Sequence, residues 1–561
     1  MSGLTTTDVA SDAPEAVAPA RVRSISAEVL PLLAVVGVAA TLMCLYLTRN
    51  APGIAPDSVV YLGTAHNLVN GRGLTTPFNL MFNPYPPGRA VSFHGDIPLT
   101  QYPPLFPIVL GVLGWLGAGL VDAARTLNAA LFGVNVVLTG LLLARVTRSR
   151  LLAVLGAIAF AVSANVLINH GLLMSEPLML AALLSGTLLV PWLLRDPRAA
   201  SLLAVGGCAG AASLTRLAGV SFTVAAVVAV LSWMKGSWAA RVRYAAGLSA
   251  LGIAPVALWA LVTRIVSPSG DVRPVGFHPP GWRQFDTAVD TASGWLVDLD
   301  TGRPARVVLL VVVVVVCVVA AVMIASARPR RASGPSLDAD AVEALDADAR
   351  RLLGILALFV VAYLAMVLTT NVFLDASTSL EGRLLVPVQV TGGVLVLGLV
   401  HRALLPRVGA RVAAVVVIAI MVWSAWPTRA IVRPFGSVST VSALEDSFPT
   451  RARSPLADAV AKLPAGALLA SNVPANVFFD TGRDSIFLPP RQYLVAGERN
   501  RDFAAQADDL GRIFAARHGY IVLYDDFSGA LPSAADLGAH MRLVELGRYR
   551  DGVLYRVGAR A

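Results

Sequence analysis

Lysine is almost missing from this chain: Lys235 and Lys462 are the two lysines among 45 basic residues. Charge of either sign is scarce, at 14% of residues against 56% hydrophobic, and the mean hydropathy is +0.68. That excludes a water-soluble fold for a chain of 561 residues. Cysteine is equally thin. Cys44, Cys208 and Cys317 all lie in apolar runs, which excludes a disulfide framework and a thiolate metal site. No internal repeat is visible, and the two halves of the apolar region do not resemble each other, which counts against a duplicated transporter. No nucleotide-sugar site is visible either. The formal charge of +10 would suit a polyanion, yet the arginines sit in short loops beside apolar runs, where they orient a membrane protein. No nucleic-acid partner is expected.

What remains is a series of apolar runs near twenty residues long, the mark of a polytopic membrane protein. Residues 1–24 read as a disordered cytoplasmic N-terminus, and the run 29–47 as an uncleaved anchor. A Pro-, Gly- and aromatic-rich loop (49–125) follows, ending in the apolar stretch 105–120. That stretch would reach about 24 Å as a helix, short for a bilayer core. The basic loops decide its topology. If 105–120 does not cross, the clusters Arg145/Arg148/Arg150, Arg195/Arg198, Lys235/Arg241/Arg243, Arg328/Arg330/Arg331 and Arg402/Arg407/Arg411 all face the cytoplasm. It is therefore expected to be interfacial or re-entrant. Eleven spans are then predicted, at 27–47, 126–144, 151–168, 177–194, 199–215, 217–234, 244–263, 307–327, 352–370, 384–400 and 409–426. An odd number places the tail outside. From 428 to 561 strand-like runs (467–471, 485–489, 520–524, 553–557) alternate with helix-like ones (455–463, 501–517). The expected fold is an α-helical polytopic domain over 25–427 with a small extracytoplasmic α/β domain behind it.

Polar groups collect on the predicted external face. In APDSVVYLGTAHNLVNGRGL (55–74), apolar residues recur at helical spacing and Gly71 and Gly73 end the run, giving a short amphipathic surface helix. Asp57 lies at its N-terminal end, where the helix dipole favours a charged carboxylate. It is either an ordinary first-turn acid or a catalytic one. Glu176 opens the next span in NHGLLMSEPLML and is the one acid of the predicted turn 169–176, with the same two readings. Arg216 (SLTRLAG) and Arg383 (DASTSLEGR) are interfacial anchors or ligands for a phosphate, whose oxygens the planar guanidinium matches. Tyr61, Gln101, Tyr102 and His278 are the candidate substrate contacts. His66, His94 and His170 follow no ligand spacing, so no metal site is predicted, and the cofactor, a divalent cation included, stays undetermined.

These motifs, with QYPPLFPIVLGVLG (101–114) and ARTLNAALFG (124–133), resemble in order and sidedness the GT-C superfamily of integral-membrane glycosyltransferases. The resemblance is to the branch of protein O-mannosyltransferases and lipid A aminoarabinose transferases. One departure is Leu384 after Arg383, where many relatives carry an aromatic residue. The resemblance implies an enzyme that moves a sugar from a polyprenyl-phosphate donor to a glycan, lipid or protein acceptor, outside a bacterial cytoplasmic membrane. It implies Asp57 and Glu176 as the acidic positions, and Arg216 and Arg383 near the lipid phosphate. A transporter or flippase and a non-catalytic assembly or sensor protein are the other classes open at this stage.

Overall fold

The structure, a computed structural model, describes residues 25–79, 96–266, 277, 279, 281–296, 302–326, 337–373, 380–403, 454–493, 498–525 and 530–559. The first half runs α1 (Ile25–Leu47), α2 (Pro56–Val69), the short strands β1 (Thr75–Thr76) and β2 (Ile97–Pro98), α3 (Leu105–Trp115), α4 (Leu120–Thr147), α5 (Arg150–Ala161), α6 (Ala164–Gly171) and α7 (Glu176–Arg195). Then come α8 (Ala199–Thr215), a 3-10 turn (Leu217–Gly219), α9 (Val220–Trp233), α10 (Trp238–Val266), α11 (Trp282–Gly294), α12 (Arg303–Ser326), α13 (Leu337–Phe373) and α14 (Gly382–Ala403). A bilayer supplies no water for the backbone, so each spanning segment must pair its own N–H and C=O groups. That is why α12, whose valine run would favour a strand in water, is a helix.

Among the described residues, seven helices (α1, α4, α7, α10, α12, α13 and α14) are long and apolar enough to cross a membrane. A further pair, α5 and α6, passes that test only as one span bent by 59°; α8 and α9 are shorter apolar helices. These helices lie on ten of the eleven predicted spans, and the run 409–426 lies outside the described residues. The break between α5 and α6 is a correction to the straight span 151–168. Gln389 of α14 donates to Ser163 Oγ (3.2 Å), and Asn165 Nδ2 donates to Gln389 Oε1 (2.7 Å) and to Gly382 O (3.0 Å). Polar groups of another helix thus hold the chain where a straight helix would have run. The helices α1 and α4 meet through Gly37 and Gly133, where a Cβ on Gly133 would lie 2.2 Å from Thr41 Oγ1.

Two helices of the first loop are short. With 11 residues, α3 reaches about 16 Å. The helix α2 has 14 residues, and its burial corrects the reading of an amphipathic surface helix: Ser58, Thr64 and Asn67 are buried along with its apolar residues. Ser58 lies against Met174 Sδ (3.3 Å), Asn67 donates to Thr75 Oγ1 (3.0 Å), and Phe478 of the C-terminal unit covers a further flank at Gly63.

That unit contains α15 (Pro455–Ala461), β3 (Leu469–Ser471), α16 (Pro474–Thr481), β4 (Ile486–Phe487), β5 (Gln492–Tyr493), β6 (Glu498–Arg499), α17 (Phe503–Arg517), β7 (Tyr520–Tyr524), α18 (Ala534–Gly538), β8 (Arg542–Tyr549) and β9 (Gly552–Gly558). Five strands form one sheet in the order β4-β3-β7-β9-β8, and β5 and β6 pair separately. The pairs β3–β4 and β3–β7 are parallel, while β7–β9 and β8–β9 are antiparallel, with a bulge between Glu545 and Gly547. Leu468, Ala470, Ile486, Leu510, Phe514, Ile521 and Val557 fill its core. All four strand-like runs of the sequence are strands here; β8 escaped notice because its apolar residues alternate poorly in RLVELGRY.

Candidate active site

The cluster forms where the first turns of α2, α7 and α14 and the end of α8 converge. Asp57 lies in the first turn of α2, behind Pro56, whose fixed φ suits a helix start. Tyr102 donates its hydroxyl to Asp57 Oδ1 at 2.8 Å, and Arg383 Nη2 lies 3.4 Å from Oδ2. One turn further along α2, Tyr61 is buried, with its hydroxyl 3.1 Å from Ser175 Oγ. Burial pushes the Tyr61 phenol well above its ordinary range, so it stays a neutral hydroxyl. Tyr61 also packs edge-on against Tyr102 and Phe106, with ring centroids 5.2 Å apart in each case.

Glu176, the first residue of α7, is 2% exposed. Its Oε1 lies 2.8 Å from Arg216 Nη1 and 3.7 Å from Arg383 Nε. Neither carboxylate oxygen accepts a hydrogen bond of good geometry from the described residues, so charge alone holds the group. A buried carboxylate kept without hydrogen bonds is a poor stabiliser, because desolvation is offset only by the ion pair. Arg216 sits where α8 gives way to the 3-10 turn and also approaches Ser175 Oγ at 3.5 Å. Arg383 touches both acids and, at 30% exposure, is more open than Arg216 at 17%.

The turn that carries Glu176 is shorter than predicted, since Asn169, His170 and Gly171 close α6. Asn128 Nδ2 donates to Leu172 O (2.7 Å) and Met174 O (3.0 Å), and Asn135 Nδ2 donates to Pro177 O (3.0 Å). His170 is buried between Asn135 and Val166 O, so it is a packing residue. Gly53 N donates to Gly171 O (3.0 Å) and Leu173 N to Gly53 O (2.9 Å), which ties the approach to α2 to the same turn. The two acids are thereby placed against each other by backbone.

Of the residues singled out in the sequence, Asp57, Tyr61, Tyr102, Glu176, Arg216 and Arg383 come together here. Gln101 is half-buried in the turn just before Tyr102. His278 lies outside the described residues. Sequence reasoning passed over Tyr363 of α13, which is buried and donates to Leu384 O at 2.8 Å, fixing the backbone beside Arg383. Nothing in AYLAM marks that tyrosine. No group of three His, Cys, Asp or Glu side chains able to hold a metal occurs among the described residues. Arrayed this way, the cluster offers an oriented carboxylate beside two guanidinium groups, one of them open to an anion.

The chain is similar to two glycosyltransferases of known structure. One is the S. cerevisiae protein O-mannosyltransferase Pmt1-Pmt2 complex bound to the sugar donor, at 17% identity and a TM-score of 0.32, over 45% of this chain and 35% of that one. The other is the arabinofuranosyltransferase AftD from Mycobacteria, at 13% identity and a TM-score of 0.45, over 94% of this chain and 42% of that one. The chain thus spans less than half the length of either. No family model and no curated protein matches the sequence. With TM-scores below 0.5, the weight of a functional reading falls on the geometry of the site.

Proposed function

We propose that this protein is a GT-C membrane glycosyltransferase that moves a sugar from a polyprenyl phosphate to an acceptor hydroxyl at the external face of a bacterial cytoplasmic membrane. The observation that carries the reading is the pose of Asp57: a carboxylate in the first turn of a helix, oriented by Tyr102 and flanked by Arg383. In this reading Asp57 takes the proton of the acceptor hydroxyl as its oxygen attacks the anomeric carbon. The bond from that carbon to the phosphate oxygen breaks with its electron pair staying on the phosphate, and the anomeric centre inverts. Arg383, the more exposed cation, meets the phosphate and offsets the charge left on it. Glu176 holds Arg216 in place behind it and keeps the cluster near neutrality until the donor arrives.

Offering purified protein in lipid a panel of polyprenyl-phosphate sugars, with free polyprenyl phosphate followed, tests this reading. Wild type is expected to release it with one donor, and Asp57→Asn to lower the rate by about 10²–10⁴-fold. Equal rates from both proteins would remove Asp57 as the base.

A further inference from the structure

The two acids are held by different means. Asn128 and Asn135 hold the backbone on either side of Glu176 from within the helices, whereas Asp57 rides on α2, whose far flank is closed by the C-terminal unit. Gly63, midway along α2, leaves a notch: a Cβ there would lie 2.8 Å from Pro77 Cδ and 3.4 Å from Phe478 Cε1. Phe478 of α16 is buried with the core of the helical region and packs edge-on against His66, with centroids 5.6 Å apart. Just past the end of α2, Arg72 Nη1 pairs with Asp484 Oδ2 at 3.0 Å. The backbone joins in as well. Ser485 N donates to Pro77 O (3.2 Å), and Phe487 N donates to Asn79 Oδ1 (2.5 Å). On its other flank α2 packs on α3, where Tyr61 meets Phe106.

We propose that the C-terminal unit is a positioning element of the active site: Pro77, which Ser485 N holds, fills the Gly63 notch with Phe478 beside it, and together with the Arg72–Asp484 pair they set the pose of α2, and through it Asp57. This rests on the reading of Asp57 as the base. A helix held on both flanks presents its first-turn carboxylate in one orientation; released from one flank, it carries Asp57 away from Tyr102. Displacements on the order of 1 Å can cost about 10²-fold in rate. In the proposed reading the donor phosphate meets Arg383, which α14 carries, so the effect falls on kcat and spares the donor KM.

The test uses the full chain in lipid with Arg72→Asp, Asp484→Arg, the double swap and Gly63→Leu. Each single charge variant sets like charges against each other and is expected to lower kcat about fivefold, with donor KM unchanged. Hydrogen exchange over residues 57–69 is expected to quicken in parallel, and the double swap to restore both quantities. Leucine favours a helix over glycine, so faster exchange in Gly63→Leu would report the filled notch rather than helix propensity. Unchanged exchange of α2 in the single variants and Gly63→Leu overturns the proposal, as does a double swap no better than its parents. A wild type inactive with every donor would sink the functional reading by itself, while the exchange experiment still decides whether the tail positions α2.

Discussion

Two ion-pair clusters occupy opposite ends of the same helices. Helix α7 begins at Glu176 and ends at Arg195, and α14 carries Arg383 in its first turn and Arg402 in its last. At the far end, Asp346 of α13 pairs with Arg148 (3.2 Å) and Arg402 (2.8 Å), and Asp348 pairs with Arg195 (2.7 Å). Asp346 is 38% exposed and Arg195 53%, against 2% for Glu176 and 17% for Arg216. Asp348 and Arg402 are 14% and 15% exposed, but each pairs with a partner more than a third exposed, so water screens these pairs, which contribute modestly and fasten helix ends together. The Glu176–Arg216 pair at the near end has lost most of its water and hydrogen-bonds poorly, so it is a liability to stability. In the proposed reading, charges kept under those terms are there for chemistry.

Breaking the buried pair should cost most. Glu176→Gln leaves Arg216 buried without its partner, with an expected loss of about 3–5 kcal/mol, read as a lowered thermal midpoint in lipid. Adding Arg216→Met should return most of the stability and none of the turnover, which separates folding from chemistry. Arg383→Lys keeps the charge but loses the planar fork, and should raise the donor KM about tenfold with a near-native midpoint. At the far end, Asp348→Asn should change stability by less than about 1 kcal/mol and leave turnover intact. If it instead matched Glu176→Gln, burial would not be what distinguishes the two ends.

The smallest effect concerns pH. Burial pushes the Asp484 carboxyl up from the usual range and Asp96 adds to the rise, while Arg72 and His66 oppose it. The folded state therefore holds this proton more tightly than the unfolded chain does. Its contribution to stability is fully present below the ordinary carboxylate pKa and is lost as pH rises through the raised one. The thermal midpoint should show that downward step with rising pH in wild type, and Asp484→Asn should flatten it.

The membrane helices were legible because hydropathy is additive along the chain and a span needs only length. The bend at Ser163 was not, since no proline or glycine marks it and its cause is Gln389 on a helix more than 220 residues away. Asp57 and Glu176 stood out as lone acids at the starts of helices, a local signal. Their partners were harder to read: Tyr102 and Arg383 reach Asp57 across 45 and 326 residues, and Tyr363 acts through the backbone of Leu384. The burial of α2 was illegible for the same reason. Its sequence shows the face that meets α3 but carries no trace of the unit that covers the other.

That cover also bears on the order of assembly. Arg72 and Asp484 are 412 residues apart, so the far wall of α2 is still untranslated when α2 emerges. At about 5–20 residues per second, the interval is roughly 20–80 s. Throughout it, the helices can insert and pack while Asp57 waits on a helix with one flank bare. Closing so long a loop comes late in folding. If the tail sets the pose of α2 as proposed, the site is completed among the last events of synthesis, and a chain cut short before residue 478 would carry every polar group of the cluster without the pose that aligns them.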